Sequence, residues 1–279
     1  MIIFHKANDI ANYLSLAKNK NKSIGFVPTM GALHNGHMSL IKNAKTNVDI
    51  VVCSIFINPT QFNDPGDFEK YPKTIEQDVY QLEKAGCAVL FLPAVNEMYP
   101  NGLKNEIYFE LGYIETILDG KYRIGHFQGV CQVVHKLLQI ILPDKLFLGQ
   151  KDFQQCMVLR KMSEQFYPSL QIVICPTLRE ESGLAMSSRN ARLNSEQRND
   201  GAKIYATLQS IKHSIKPGNL DDLKRNAIKY LTSQGFKIDY IEIANTTTLQ
   251  LLHNWNGKDE VVILIAAFFN DVRLIDNLL

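Results

Sequence analysis

The stretch that decides the fold reads IGFVPTMGALHNGH and covers residues 24–37. Its first part, residues 24–28, is short and apolar, as a buried strand of a parallel sheet is. A helical pattern follows over residues 37–45, so His34 and His37 lie where a strand passes into a helix N-terminus. Unpaired backbone N–H groups and the helix dipole favour anions at such a point, and imidazoles can donate hydrogen bonds to phosphate oxygens. The turn is therefore interpreted as a nucleotide phosphate site.

The rest of the chain predicts an α/β protein with two domains. Alternating strands and helices up to residue 176 are typical of a doubly wound parallel sheet, and helices followed by strands beyond it indicate a smaller α+β domain. We place the domains at residues 1–176 and 177–279. The GxGxxG dinucleotide fingerprint is absent. Predicted strands are 24–28, 49–55, 88–92, 145–148, 171–175, 236–243, 261–267 and 272–275, and predicted helices are 7–18, 37–45, 74–85, 128–141, 153–166, 195–216 and 221–233.

Composition excludes several classes of protein. The chain has 279 residues, 46% hydrophobic and 21% charged, with a formal net charge of +2. This balance gives no reason to expect a nucleic-acid or membrane partner. No apolar run reaches the roughly 18 residues of a membrane helix, and the first residues lack the features of a secretory signal. The 5 cysteines are widely spaced without a CxxC pair, which predicts buried reduced thiols rather than a zinc site.

Two further strand ends carry polar side chains. Residues 56–62 follow the second predicted strand and contain Asn58 and Gln61, whose amides can bond hydroxyl and carboxylate groups. Residues 148–155 again join a strand to a helix. There Lys151 can reach a phosphate, Asp152 can bond a ribose or a metal or simply cap the helix, and Gln155 lies one turn later. Ligands in open α/β sheets bind outside this edge.

A fourth segment, residues 186–190, reads MSSRN. Two hydroxyls and the guanidinium of Arg189 suit a loop that closes over phosphates. Taken singly, each of the four segments has a simpler interpretation as a polar turn, a helix cap or an exposed ion pair. The joint occurrence of three such strand ends and this serine-containing loop favours a nucleotide site.

The motifs together are similar to those of a known family. The HxGH turn with a downstream basic, serine-containing loop resembles the nucleotidyltransferase superfamily. PTMGALHNGH, SIFINPTQF, YPKT, GHFQGV, LFLGQKDFQQ and GLAMSSRN, in this order and spacing, resemble the pantothenate synthetase (pantoate–β-alanine ligase) family over essentially the whole chain.

The resemblance implies a two-step ligase. ATP and (R)-pantoate would give pantoyl adenylate and pyrophosphate with Mg²⁺, and the amine of β-alanine would then displace AMP to form pantothenate. It also implies a Rossmann-like N-terminal domain, a C-terminal lid, a homodimer and a cytoplasmic location. The catalytic residues would be His34, His37 as proton donor, Lys151 and Arg189.

Binding residues are likewise implied by motif match. Gln61 and Gln155 would bind pantoate, Gln61 would also meet β-alanine, and Asp78 would be the metal ligand. Gln77 stands where relatives often have a second acid, and Ile124 stands where they usually have proline. The ATP site would comprise Met30, Gly31, Ala32, Leu33, His34, Asn35, Gly36, His37, Gly149, Gln150, Lys151, Asp152, Leu178, Met186, Ser187, Ser188 and Arg189.

Two other functions stay open at this stage. Another HxGH-type nucleotidyltransferase would move a nucleotide onto a small phosphorylated acceptor, and its acceptor site should be rich in basic residues. A nucleotide sensor without catalysis would not need His34, His37, Lys151 and Arg189 together. The amides of Gln61 and Gln155 favour a small hydroxy acid as the acceptor.

Overall fold

The N-terminal part of the chain is built on a parallel sheet. The computed structural model describes residues 1–62, 65–69, 71–103 and 107–279. Six of its strands pair in parallel in the order β1-β4-β3-β2-β5-β6, which confirms the doubly wound prediction. The short edge strand β1 was not predicted. The strands are β1 Ile2–Phe4, β2 Ile24–Thr29, β3 Ile50–Ile55, β4 Val89–Phe91, β5 Lys145–Gly149 and β6 Gln171–Cys175.

From β2 the chain adds β3 and β4 on one side, and β5 and β6 lie on the other side. A crevice opens between β2 and β5, where the order of addition changes. Register pairs join these strands only at Gly25–Lys145 and Phe26–Leu146. Asp144 N–H donates to the Ile24 carbonyl, so the even-numbered residues of β2 face β5, and Pro28 is one of them. Proline has no N–H to extend the ladder. The carboxyl ends of the two strands are therefore left apart, at the switch point where ligands of such sheets bind.

Helices cover both faces of this sheet. On one face α1 packs against α7, and on the other α2 packs against α4. The predicted helices 37–45, 74–85 and 128–141 are present with slightly different starts. The described helices are α1 Ala7–Lys18, α2 Asn35–Lys45, α3 Pro65–Glu69, α4 Ile75–Ala85, α5 Val95–Met98, α6 Leu118–Tyr122, α7 His126–Ile141, α8 Phe153–Phe166, α9 Ser195–Gly201, α10 Lys203–Ser214 and α11 Asp221–Ser233.

The C-terminal part is an antiparallel sheet covered by helices. Strands β7 Gly218–Asn219 and β9 Asn254–Trp255 form a small ribbon, while β8 Phe236–Asn245, β10 Val261–Phe269 and β11 Val272–Leu278 form the main sheet in the order β11-β10-β8. Helices α10 and α11 pack on it.

The predicted helix 195–216 is instead two helices, α9 and α10, which meet at Ala202. Gly201 is buried there, and a Cβ atom on it would lie 3.2 Å from a Leu184 methyl and 3.3 Å from a Leu274 methyl. Helical periodicity alone did not reveal this break, which lies beside a closely packed contact with residues of the C-terminal part.

The hydrophobic core is continuous between the two parts. Ala244, Leu249, Val262 and Leu264 of the C-terminal part pack in the same cluster as residues of α1, α7 and α8. A second cluster fills the space between the antiparallel sheet and its helices. The division at residue 176 stays a prediction. The five cysteines are buried, as expected. None of the helices in the described ranges is long and apolar enough to cross a membrane.

Candidate active site

A cavity of about 250 Å³ lies at the carboxyl ends of β2 and β5. Loops from both parts of the chain border it, so the segments quoted from the sequence converge on one space. The lining includes the following residues predicted from the sequence: Met30, His34, Gly36, His37, Gln61, Gly149, Lys151, Asp152, Gln155, Leu178, Met186, Ser187, Ser188 and Arg189.

The remaining predicted residues lie beside the cavity rather than on its wall. Leu33 is buried in the core between the sheet and α2, and Asn35 is exposed. Gln150 turns toward Asn277 of β11, to which its side-chain amide donates at 3.1 Å. Gly31, Ala32 and Asp78 likewise do not line the space.

The two histidines cap helix α2 reciprocally. The Gly36 N–H donates to His34 Nδ1 at 3.1 Å, and the His34 N–H donates to His37 Nδ1 at 3.3 Å. The ring centroids lie 4.0 Å apart. Because a backbone N–H can only donate, both Nδ1 atoms are acceptors, and each neutral ring carries its proton on Nε2. The pair thus presents two N–H donors at the phosphate-compatible end of the helix.

The surroundings keep both rings neutral. Burial, helped by the Lys151 ammonium, lowers the pKa of His34 to about 4. Burial, followed by the proximity of His34 and Lys151, lowers the pKa of His37 well below its usual value. At neutral pH the rings therefore act as hydrogen-bond donors rather than as cations, and an anion bound beside them would raise both pKa values.

A buried carboxylate holds the turn that precedes the histidines. Asp78, only 1% exposed, accepts hydrogen bonds from the N–H groups of Ala32 (2.9 Å) and Leu33 (2.8 Å) and from the Thr74 hydroxyl (3.1 Å). Gly31 and Ala32 both have positive φ, +84° and +48°, which costs energy for alanine. Asp78 from helix α4 therefore stabilises a strained loop conformation.

This placement does not fit the interpretation of Asp78 as the metal ligand. Both of its oxygens already accept hydrogen bonds, and the side chain lies behind the loop rather than on the cavity. Among the described residues no group of three or more His, Cys, Asp and Glu side chains could hold a metal ion. A magnesium site made mainly by protein carboxylates is not supported by these side chains.

The second strand-end turn, Gln150–Asp152, presents a cation and an anion. The Lys151 ammonium lies 3.6 Å from the Asp152 carboxylate, and the two side chains are 17% and 46% exposed. Asp152 is the N-cap of α8, yet its side chain makes no capping hydrogen bond. The simpler interpretation of Asp152 as a side-chain helix cap is therefore not realised, and its carboxylate lies beside the Lys151 ammonium instead.

The serine-containing loop contacts the first turn across the cavity. The Ser188 hydroxyl donates to the Ala32 carbonyl at 2.9 Å, and Ser187 Oγ accepts from the Arg189 N–H at 3.3 Å. The Arg189 guanidinium lies 6.0 Å from the centre of the Tyr71 ring. Through Ser188, the C-terminal part is bonded to the loop that carries the histidines.

The backbone of Gln61 is held by residues whose part in the site the sequence did not define. His126 donates from Nδ1 to the Gln61 carbonyl at 2.8 Å, and Arg123 donates to His126 Nε2 at 2.9 Å. Burial and the Arg123 charge lower the pKa of His126 to about 4. The Gln61 amide itself donates to Met30 Sδ at 2.7 Å. The sequence signals for this support were the GHF segment at the start of α7 and the charge of Arg123 just before it.

Asn58, which the sequence offered as a second ligand amide, is internal. It is fully buried, donates to the Gly129 carbonyl at 3.1 Å and accepts from the Tyr99 hydroxyl at 2.8 Å. It braces the turn that carries Gln61 and does not line the cavity.

Comparison with known proteins agrees with this geometry. A family model described as pantoate-beta-alanine ligase matches residues 2–279. Pantothenate synthetase of Bacteroides fragilis (strain YCH46) is 42% identical over 279 residues, covering 100% of this chain and 98% of that protein. The enzyme of the same name from Cytophaga hutchinsonii is 43% identical over 281 residues, covering 100% and 99%.

Solved structures show the same likeness. Pantothenate synthetase from Thermus thermophilus superposes with a TM-score of 0.90 at 35% identity, covering 100% of this chain and 99% of that one. A pantoate-beta-alanine ligase from Francisella tularensis, complexed with beta-gamma ATP and beta-alanine, gives a TM-score of 0.79 at 41% identity, covering 100% and 97%. The resemblance drawn from the motifs is confirmed, and the chain belongs to the pantoate-beta-alanine ligase family of enzymes.

Proposed function

We propose that this chain joins (R)-pantoate to β-alanine in two steps within the one cavity. In the first, a pantoate carboxylate oxygen attacks the α-phosphorus of ATP, the bond to the bridging oxygen breaks, and pyrophosphate leaves. In the second, the amine of β-alanine attacks the acyl carbon, AMP leaves, and the amine loses a proton. The observation that carries this proposal is the convergence of the HxGH turn, Lys151 and Arg189 with the amides of Gln61 and Gln155.

The phosphate end is assigned to the two turns and the serine-containing loop. The Nε2–H groups of His34 and His37 would donate to phosphate oxygens, and Lys151 and Arg189 would neutralise the charge that grows as pyrophosphate departs. Such transfers depend mainly on positioning and on charge stabilisation. Because burial keeps the His37 ring neutral, we expect it to act as a proton donor only after bound phosphates have raised its pKa.

The acceptor end is assigned to Gln61 and Gln155. Neutral amides can bond the hydroxyl and carboxylate groups of pantoate without adding charge. Gln61 would also meet β-alanine in the second step, and Asp152 would hold the ribose. Residues 187–189 would exclude water, which would otherwise hydrolyse the acyl adenylate.

Magnesium, a homodimer and a cytoplasmic location are proposed from the family resemblance. Because the described carboxylates form no metal cluster, we expect ATP to bring its magnesium, held chiefly by phosphate oxygens and water. A charge-neutralising role for Lys151 and Arg189 requires no protein-held ion.

Isotope exchange between ATP and pyrophosphate tests the proposal. Exchange should require pantoate and proceed without β-alanine, because reversal of the first step alone returns labelled pyrophosphate to ATP. Exchange that appears only with β-alanine would contradict the adenylate route. Exchange supported by a phosphorylated acceptor instead of pantoate would favour the other nucleotidyltransferase.

A further inference from the structure

One side chain of the last strand grips the Lys151 turn from the C-terminal part of the chain. Asn277 in β11 is 2% exposed, and its amide donates to the carbonyls of Gln150 (2.8 Å) and Lys151 (2.9 Å). Its own carbonyl accepts from the Gln150 side-chain amide at 3.1 Å. Both N–H groups and the oxygen of Asn277 are thus used on two consecutive residues.

The orientation of this amide is set by its partners. Turning the Asn277 amide over would place its oxygen against two backbone carbonyls, which cannot donate. A second buried side chain fixes the neighbouring residue of the strand, because Arg179 donates to both oxygens of Asp276 at 2.5 and 3.0 Å. Asn277 therefore rests on a strand that is itself anchored beside the cavity.

The gripped turn has little support of its own. Gly149, which precedes Gln150–Asp152, has no side chain with which to cap it, and Asp152, which precedes α8, makes no side-chain capping hydrogen bond. The Lys151 side chain that projects from the turn is 17% exposed and reaches the cavity. A shift of the turn by a fraction of an ångström would move the ammonium away from the phosphates, and misplacement by about 1 Å can lower a rate about 10²-fold.

We propose that Asn277 is a positioning residue for adenylation, which acts by holding the Gln150–Lys151 backbone so that the Lys151 ammonium faces the nucleotide phosphates. The inference rests on the proposed function of Lys151. It gives the C-terminal strand a part in the chemistry that is separate from the closing of residues 187–189 over the site. Asn277 also lines the cavity, but its amide N–H groups and oxygen are already engaged with Gln150 and Lys151, so in this scheme it binds neither ATP nor pantoate.

A double-mutant cycle with Lys151 tests the proposal. Asn277→Ala should lower the maximal ATP–pyrophosphate exchange rate about tenfold and leave the KM for pantoate within about twofold. In a Lys151→Met background the same substitution should change the rate by less than about twofold, because the group on which Asn277 acts is gone. Equal losses in both backgrounds would show a merely structural role and overturn the proposal, as would an undiminished rate in Asn277→Ala.

Two further measurements keep the outcome decisive. If Asn277→Ala does not fold, Asn277→Ser, which keeps one hydroxyl donor, replaces it in the same cycle. ATP affinity, measured by calorimetry without pantoate, should show the same non-additivity, so the cycle can be completed even if pantoate is not the acceptor. Asn245→Ala on β8 is the control, since Asn245 accepts from Thr247 and Thr248 in a turn outside the cavity, and it should leave exchange unchanged.

Discussion

The turns after β2 and β5 lie on either side of the same crevice but are held in different ways. The first is braced from within the N-terminal part, where Asp78 accepts from the Ala32 and Leu33 N–H groups. The second is braced from the far end of the chain, where Asn277 donates to the Gln150 and Lys151 carbonyls. In both cases a buried polar side chain fixes the backbone of a turn, a carboxylate by accepting from N–H groups and an amide by donating to carbonyls.

The difference indicates which part of the chain positions each group of the site. The turn that carries the imidazoles is supported mainly from within the N-terminal part. Ser188 adds one hydrogen bond to it from across the cavity. The ammonium stands on a turn whose backbone depends on the C-terminal strand. Changes in the C-terminal part should therefore affect the position of Lys151 more than that of His34 and His37.

The largest effect is expected when the first turn loses one of its donors. His37→Ala should lower turnover by about 10²-fold or more, because a preorganised donor to the reacting phosphate is removed. The chain should still fold, with a thermal unfolding temperature only a few degrees lower, because the His34 N–H loses its capping partner. Steady-state kinetics with saturating ATP, pantoate and β-alanine measure the loss. The exposed His213→Ala in α10 serves as the control, and turnover at the parent rate in His37→Ala would reject the role of this residue.

A smaller effect is expected when the brace of the first turn is altered. Asp78→Asn keeps the size of the side chain but turns an N–H toward backbone N–H groups, so turnover should fall about tenfold and unfolding should become easier by about 1–3 kcal/mol. The Mg²⁺ concentration for half-maximal activity should stay within about twofold. Glu76→Gln, on the exposed side of the same helix, is the matched control.

The same experiment separates the brace from a metal ligand. If Asp78 held Mg²⁺, the half-saturating Mg²⁺ concentration would rise strongly and excess Mg²⁺ would restore turnover. That result would reverse the assignment of Asp78 to the loop and make the two turns more alike than their hydrogen bonds indicate.

Much of the first turn could be predicted from the sequence because its information is local. The short apolar strand, the glycines and the two histidines are neighbours in residues 24–37, and the switch point of the sheet follows from alternating elements. The strands from β2 to β6 were predicted to within two residues at either end. Periodicity and turn residues carry this information directly.

The supports of the site could not be predicted in this way because they act over long sequence separations. Asn277 meets Lys151 across 126 residues, and His126 meets Gln61 across 65. Asp78 was interpreted from the sequence as a metal ligand, but a buried acid that accepts backbone hydrogen bonds and a metal-binding acid look the same in a sequence. Burial and hydrogen-bond partners, which depend on the folded chain, distinguish the two.

The smallest effect concerns the protonation of the first turn. The pKa of His34 is lowered to about 4 in the folded chain, against about 6.5 when unfolded. Between these values the unfolded chain binds a proton that the native chain does not, so the free energy of unfolding falls as pH decreases from about 6.5, by at most about 1.4 kcal/mol per pH unit for this group. Urea denaturation at pH 7 and pH 5 should show the decrease, and His34→Gln should reduce it. His213→Gln, at an exposed position of α10, is the matched control. An unchanged slope in His34→Gln would mean that folding does not lower the pKa of His34, and the first turn would then not keep this imidazole neutral below about pH 6.5.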